Sequence, residues 1–222
     1  MKQANWFSNL YIKYGILWII WLVVQDYGYG ELVKLPSTAR YADFIVNAVI
    51  KLIIWGSLGI WWLVLERKHL WLSDKHLYNG NFPRFFWILL IVFIAYLFGI
   101  SLYEHHMLYI SPDLFTRERH GFIGVAIVAG LAEELVFRGF FMNRLLDRYR
   151  FMTANIIQSL LFLGIHLPIY FADHLSALGW LNNGLTVLPL GLIFGWIFFI
   201  GQKNLWPSTI LHCVWDSMMF IL

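Results

Sequence analysis

The 222-residue chain is 60% hydrophobic and 13% charged, with a mean hydropathy of +0.66 and a formal net charge of +3. A soluble domain averages about 45–50% apolar and about 25% charged residues, so this balance excludes an ordinary water-soluble fold and points to an integral membrane protein. The basic residues are dispersed rather than gathered in a patch, which argues against a nucleic-acid partner, and the single Cys213 excludes an internal disulfide framework.

Apolar runs then mark out an all-α, polytopic transmembrane bundle of about seven helices. The first run, Tyr11 to Val24, has no small-residue cleavage site after it, since Gln-Asp-Tyr-Gly-Tyr-Gly-Glu comes next. A retained helix is therefore expected rather than a removed signal peptide. Ala42 to Leu65 is the second span, and Lys51 within it must snorkel or pair inside the bundle. A polar connector, Glu66 to Arg84, carries a turn signal at Asn79-Gly80-Asn81. Phe85 to Tyr103 is the third span and has no charge. Glu104 to His120 is polar and contains Ser111-Pro112-Asp113, read as a loop or surface helix.

Phe122 to Leu146 forms the fourth span, Met152 to Tyr170 the fifth and Leu185 to Ile200 the sixth, with Phe171 to Gly184 read as a loop because of Asn182-Asn183-Gly184. A tight connection over Gly201 to Asn204 leads to the seventh span, Trp206 to Leu222, where Pro207 suits a first helical turn. The chain divides into 1–120, three spans with their connectors, and 121–222, a four-helix transmembrane core. Twelve Trp among 19% aromatic residues fit rings at the lipid–water boundary.

Loop charges orient the bundle. One side carries Lys2, Arg67, Lys68, Lys75, Arg84, Arg144, Arg148, Arg150 and Lys203, the other Lys34, Arg40, Arg117 and Arg119. The bias places the N-terminus in the cytoplasm, in what is expected to be a bacterial cytoplasmic membrane.

The fourth span contains Ala-Gly-Leu-Ala-Glu-Glu-Leu-Val-Phe-Arg-Gly-Phe-Phe, residues 129–141, which puts three charges in a mid-membrane helix. A charge at mid-bilayer costs between about 3 and more than about 10 kcal/mol, so such residues mark functional sites by default. At a rise of ~1.5 Å per residue, Glu133 lies roughly 20 Å from the cytoplasmic end of its helix, His166 about as deep, and His212 and Asp216 roughly 10 to 18 Å deep. Three helices thus bring polar groups to one level, and one shared cavity is expected. Glu134 and Arg138 are four apart and can pair. Glu133 is rotated by about 100° from Glu134 and is assigned to the reactive cavity. His212 and Asp216 share a face, as do Phe162 and His166, with Gly164 allowing close approach.

Glu-Glu-Leu-Val-Phe-Arg (133–138), Phe-Leu-Gly-Ile-His (162–166) and His-Cys-Val-Trp-Asp (212–216) fit the patterns Glu-Glu-x-x-x-Arg, Phe-x-x-x-His and His-x-x-x-Asn/Asp. In that order, on successive apolar helices, they resemble the CAAX-protease and bacteriocin-processing (CPBP, or Abi) family of intramembrane endopeptidases, related to the CAAX prenyl endopeptidase. The resemblance covers roughly the last hundred residues, and each motif alone is weak.

The resemblance implies hydrolysis of a peptide bond in a hydrophobic or lipidated peptide or membrane protein, in peptide maturation or bacteriocin self-immunity. Glu133 with His166 would activate a water. His212 and Asp216 would face the oxyanion. An ionised Asp cannot donate a hydrogen bond, so Asp216 must be protonated or orient His212 instead. The pair Glu134–Arg138 would support the site. No cofactor is expected. Were zinc bound, Glu133, His166 and His212 would hold it, but no His-Glu-x-x-His occurs.

The other polar residues carry plainer readings. Glu104, His105 and His106 read as solvated residues where the third helix leaves the membrane, and His69, His76, His120 and His174 as loop residues. Cys213 points about 100° away from His212 and reads as a buried thiol. Two further functions stay open: a non-catalytic scaffold regulating another membrane protein, and, against the lack of internal repeats, a proton-coupled transporter.

Overall fold

The computed structural model describes residues 2–73, 76–78, 80, 82–107, 117–201 and 204–221, and their side chains except at 2–9, 117–125 and 219–221. Among these residues there is no strand. Seven long helices follow one another: α1 (2–34), α2 (Ala42–Leu65), α3 (Arg84–His105), α4 (117–146), α5 (Phe151–Ala172), α6 (Ala177–Ile200) and α7 (Trp206–Ile221). Five of them, α1, α2, α3, α5 and α6, are long and apolar enough to cross a membrane. The molecule is an all-helical membrane bundle. Ser111-Pro112-Asp113, Lys75, Lys203, Asn79 and Asn81, and the side chains of Lys2, Arg117, Arg119 and His120, lie outside the described residues.

The bounds of α1, α4 and α6 differ from the sequence reading: α1 begins at Lys2 rather than Tyr11, and α4 at Arg117 rather than Phe122, so that His120, read as a loop residue, lies in the helix. Helix α1 does not stop at Val24 but continues to Lys34 through a wider, π-helical turn at Val24–Gly28. The polar residues that suggested a loop find partners there, because buried Gln25 donates to Asn47 of α2 at 3.0 Å and Asn47 donates to Asp43 at 2.6 Å. Helix α6 starts at Ala177 rather than Leu185. Ser176 caps it by accepting from the Gly179 amide at 3.2 Å. Asn183 donates to the Gly179 carbonyl and Thr186 to that of Asn182, so the polar stretch read as a turn is held inside the helix.

Helix α4 is the centre of the bundle. Every residue from Leu135 to Met142 is buried, the pattern of a helix surrounded on all sides. Phe137, Phe140 and Phe141 pack against Trp55 and Trp62 of α2, Tyr14 of α1 and Phe162 of α5. Helix α7 crosses α4 where Gly130 meets Cys213: a Cβ on Gly130 would lie 2.9 Å from the Cys213 sulfur. Small residues at the crossing let backbones approach where lipid supplies no hydrophobic drive between helices. Helices α5 and α6 join in the same way, with Asn155 of α5 donating to Leu192 O at 2.9 Å over the bare face of Gly195.

At one end of the bundle the connector after α2 lies across the end of α4. Asn143 exchanges two hydrogen bonds with Leu72, at 2.7 and 2.9 Å, and the Leu205 amide before α7 donates to Leu77 O at 2.7 Å. The connectors after α2 and α6 and the end of α4 therefore share one side, as alternating spans require. Glu66, just beyond α2, binds Lys13 of α1 and Arg144 of α4, the latter at 2.5 Å.

Burial would push the Glu66 carboxyl up, but the hydrogen bonds from Lys13 and Arg144 outweigh it and hold the group below its ordinary value. A carboxyl depressed by folding contributes stability above its unfolded pKa, near 4.3, and loses it as pH falls through the folded value. The thermal midpoint in detergent is thus expected to drop on acidification below about pH 4.3, with a shallower drop in Glu66→Gln; equal slopes in both proteins would contradict this account.

Candidate active site

The site lies where α4 meets α2, α5 and α7. Glu133 and Glu134 end the regular α-helical part of α4, and the next eight residues, Leu135–Met142, are wound as a π-helix. Such wide turns are rare and recur at functional sites. Arg138, wholly buried, donates to Glu134 Oε1 at 2.6 Å and to Gly191 O of α6 at 3.1 Å. Its guanidinium stands 4.5 Å from the Phe162 ring centroid and 5.5 Å from that of Phe194.

The two glutamates are not divided between a structural pair and a separate cavity. His212 of α7 reaches both: Nδ1 lies 2.9 Å from Glu134 Oε1, and Nε2 lies 3.6 Å from Glu133 Oε2. Adjacent helical residues differ by about 100° in direction, yet a ring at the crossing of α4 and α7 can span both. Asp216, one turn on, places Oδ2 3.5 Å from His212 Nε2. Phe194 of α6 stacks on the imidazole at 4.8 Å and fixes its plane.

His166 lies at a break in α5, between the segments Phe151–Gly164 and Leu167–Ala172. Its Nδ1 is 2.7 Å from Phe162 O. Helix α1 holds the break from outside, as Tyr14 donates to Leu161 O and Trp18 to Gly164 O, each at 2.9 Å. A cavity of about 360 Å³ is lined by His166, His212 and Asp216, with Asn182, Asn183 and Thr186 of α6 on its wall. Glu133, assigned to this cavity from its helix position, is buried and not among its lining residues; its Oε2 lies 3.6 Å from His212 Nε2, and its charge acts on both imidazoles.

Other polar residues keep clear of this centre. Glu104, His105 and His106 are exposed at the end of α3, where His106 adopts a left-handed conformation. His69, His76 and His174 are exposed in connectors. Cys213 turns toward Ile127 and Gly130 of α4.

The residue that spacing does not single out is Lys51. Its ammonium lies 2.5 Å from Glu133 Oε1, buried between the rings of Trp21 and Trp55, whose centroids are 5.1 and 4.8 Å away. Of the two readings of this lone cation in α2, pairing holds and snorkelling does not. Asn182 and Asn183 also escape a sequence reading that takes them for a turn, as does Thr186, read only as part of an apolar span. Their spacing, one face of an otherwise apolar helix, is the signal that places them together.

Zinc on Glu133, His166 and His212 does not fit this arrangement. Among the described residues no three His, Cys, Asp or Glu side chains form a group that could hold a metal ion, and Glu133 Oε1 is engaged by the Lys51 ammonium.

Fold and site together define an intramembrane helical bundle with a polar centre of carboxylates and imidazoles. Residues 118–218 match the family described as Rce1-like, type II CAAX prenyl endopeptidase. The match spans the three motifs, covers a little under half of the chain, and supports the CAAX-protease family that those motifs resemble. No curated protein and no solved structure matches the chain.

Proposed function

We propose that the protein is an intramembrane endopeptidase that hydrolyses a peptide bond in a hydrophobic or lipidated peptide, using a water activated by Glu133 and no metal. The observation that carries this reading is that His166 and His212 line one cavity while Glu133 Oε2 lies 3.6 Å from His212 Nε2, inside the region that matches the family. Glu133 Oε2 takes a proton from water as the water oxygen attacks the scissile carbonyl, with His166 as second partner of that water. The proton then goes to the leaving amine as the C–N bond breaks.

His212 serves the oxyanion in this reading. Among the described residues the polar groups facing the ring are carboxylate oxygens: Glu134 on Nδ1, Glu133 and Asp216 beyond Nε2. A ring among acceptors alone is used best with both nitrogens protonated, which gives Nε2 a proton to donate as charge develops on the carbonyl oxygen. Asp216 orients His212 and does not donate itself.

An apolar groove of about 590 Å³ between α3 and α6 supports a hydrophobic substrate. It shares Thr186, Leu190, Phe194 and Trp215 with the polar cavity, so a chain lying in the groove leads to His212. We place the N-terminus in the cytoplasm on the charge bias of the connectors, and peptide maturation or bacteriocin self-immunity in bacteria as the setting, on the resemblance alone.

The test is cleavage of a peptide pool by the purified protein, with products sequenced, with and without a chelator. Glu133→Ala and His166→Ala are expected to lose activity by about 10²–10⁴-fold, the range of a removed general base, while eluting as folded protein in detergent. Chelator should have no effect. Cleavage retained in both variants would remove the assignment, and a scaffold role would then stand.

A further inference from the structure

We infer that Lys51 is a positioning residue for Glu133: a cation supplied from outside the family-matched region that pins one carboxylate oxygen and keeps the other facing His212 without collapsing onto it. The inference rests on the proposed role of Glu133 in hydrolysis.

The geometry supports it in three ways. Lysine is a flexible four-carbon arm and would not by itself hold a carboxylate still. Here the arm is buried, and its ammonium is confined by the faces of Trp21 and Trp55, themselves packed edge to face at 5.2 Å. The charge-assisted bond it donates, 2.5 Å to Oε1, ties down one oxygen of the carboxylate.

Second, Oε2 ends 3.6 Å from His212 Nε2, beyond a normal hydrogen bond. A base and a ring that must both meet substrate are thus held facing each other without a hydrogen bond between them. Free of Lys51, Glu133 would have His212 as its nearest opposite partner.

Third, the charges around Glu133 need Lys51. Helix α4 contributes Glu133, Glu134 and Arg138, α7 contributes His212 and Asp216, and α5 contributes His166. Arg138 is committed to Glu134. Without Lys51, three carboxylates would face one fixed cation and two imidazoles in a nearly dry site.

Full-length protein in detergent allows two measurements. Infrared difference spectra, each protein minus its Glu133→Gln counterpart, isolate the Glu133 carboxylate band. Steady-state cleavage of a farnesylated, internally quenched peptide gives kcat and KM. In Lys51→Met, which keeps the bulk of the arm between the two indoles, the band is expected to move and kcat to fall by about 10²-fold, the scale of a 1 Å misplacement. KM is expected to stay within about twofold, since Lys51 does not line the cavity.

Lys51→Arg should keep the band and most of kcat. An unmoved band in Lys51→Met, or Arg and Met variants equally impaired, would overturn the inference. If wild-type protein does not cleave the peptide but the band behaves as stated, the inference stands and the proposed hydrolysis of such a peptide fails. Should Lys51→Met not fold, Lys51→Gln takes its place: turnover equal to that of Lys51→Arg would overturn the inference, and loss beside an active Arg variant would support it.

Discussion

Arg138→Leu is expected to destabilise the protein by about 3–5 kcal/mol, the usual cost of stranding one member of a buried ion pair. Arg138 is wholly buried and so is Glu134. Glu134 Oε1 accepts from both Arg138 and His212, while its Oε2 has no hydrogen-bond partner among the described residues. Removing the guanidinium leaves a buried carboxylate with the His212 imidazole as its donor among the described residues, and it also frees the Gly191 carbonyl from one of its two donors, Arg138 and Gln158. The check is the thermal midpoint in detergent, read by loss of monodisperse protein. The double variant Arg138→Leu/Glu134→Leu should recover much of the loss, because replacing both members by apolar groups is often neutral. A double variant as unstable as the single one would show that the pair does not act as a unit.

His212→Phe is expected to lower kcat by about 10²–10³-fold, the effect of one lost oxyanion donor, with KM little changed. Phenylalanine keeps the stack on Phe194 and the edge contact with Phe162, so packing is largely conserved. What goes is the donor to Glu134 Oε1 and the nitrogen facing Glu133 and Asp216. Activity within about tenfold of wild type would remove His212 from the oxyanion role. A comparison with Asp216→Asn separates the two residues of that helix face. If Asp216 only orients the ring, the amide should retain more activity than His212→Phe.

Much of this site is legible in sequence because its members lie on helices at spacings a periodic reading resolves. Glu134 and Arg138, and His212 and Asp216, stand four apart, and within each pair the two side chains meet in the structure. Lys51 is not legible in that way. Its partner is 82 residues away, and only the cost of a lone cation in an apolar helix hints that an acid waits for it. Glu134 appears from its spacing to belong with Arg138 alone, since periodicity describes one helix at a time and cannot place a ring on a crossing helix. Asn182 and Asn183 mislead for a local reason. Their composition is that of a turn, and the Ser176 cap that starts the helix six residues earlier is the weaker signal.

The separation of Lys51 from Glu133 also has a meaning for biosynthesis. Synthesis runs from the N-terminus, so Lys51 in α2 is made 82 residues ahead of the acid it pairs with. Helix α4 then arrives with Glu134 and Arg138 four residues apart, able to neutralise each other within one segment. One carboxylate is left over, and Lys51 between Trp21 and Trp55 is the receptor already built for it. The order of the helices thus lets a charged central segment be inserted against a partner that is waiting in the membrane.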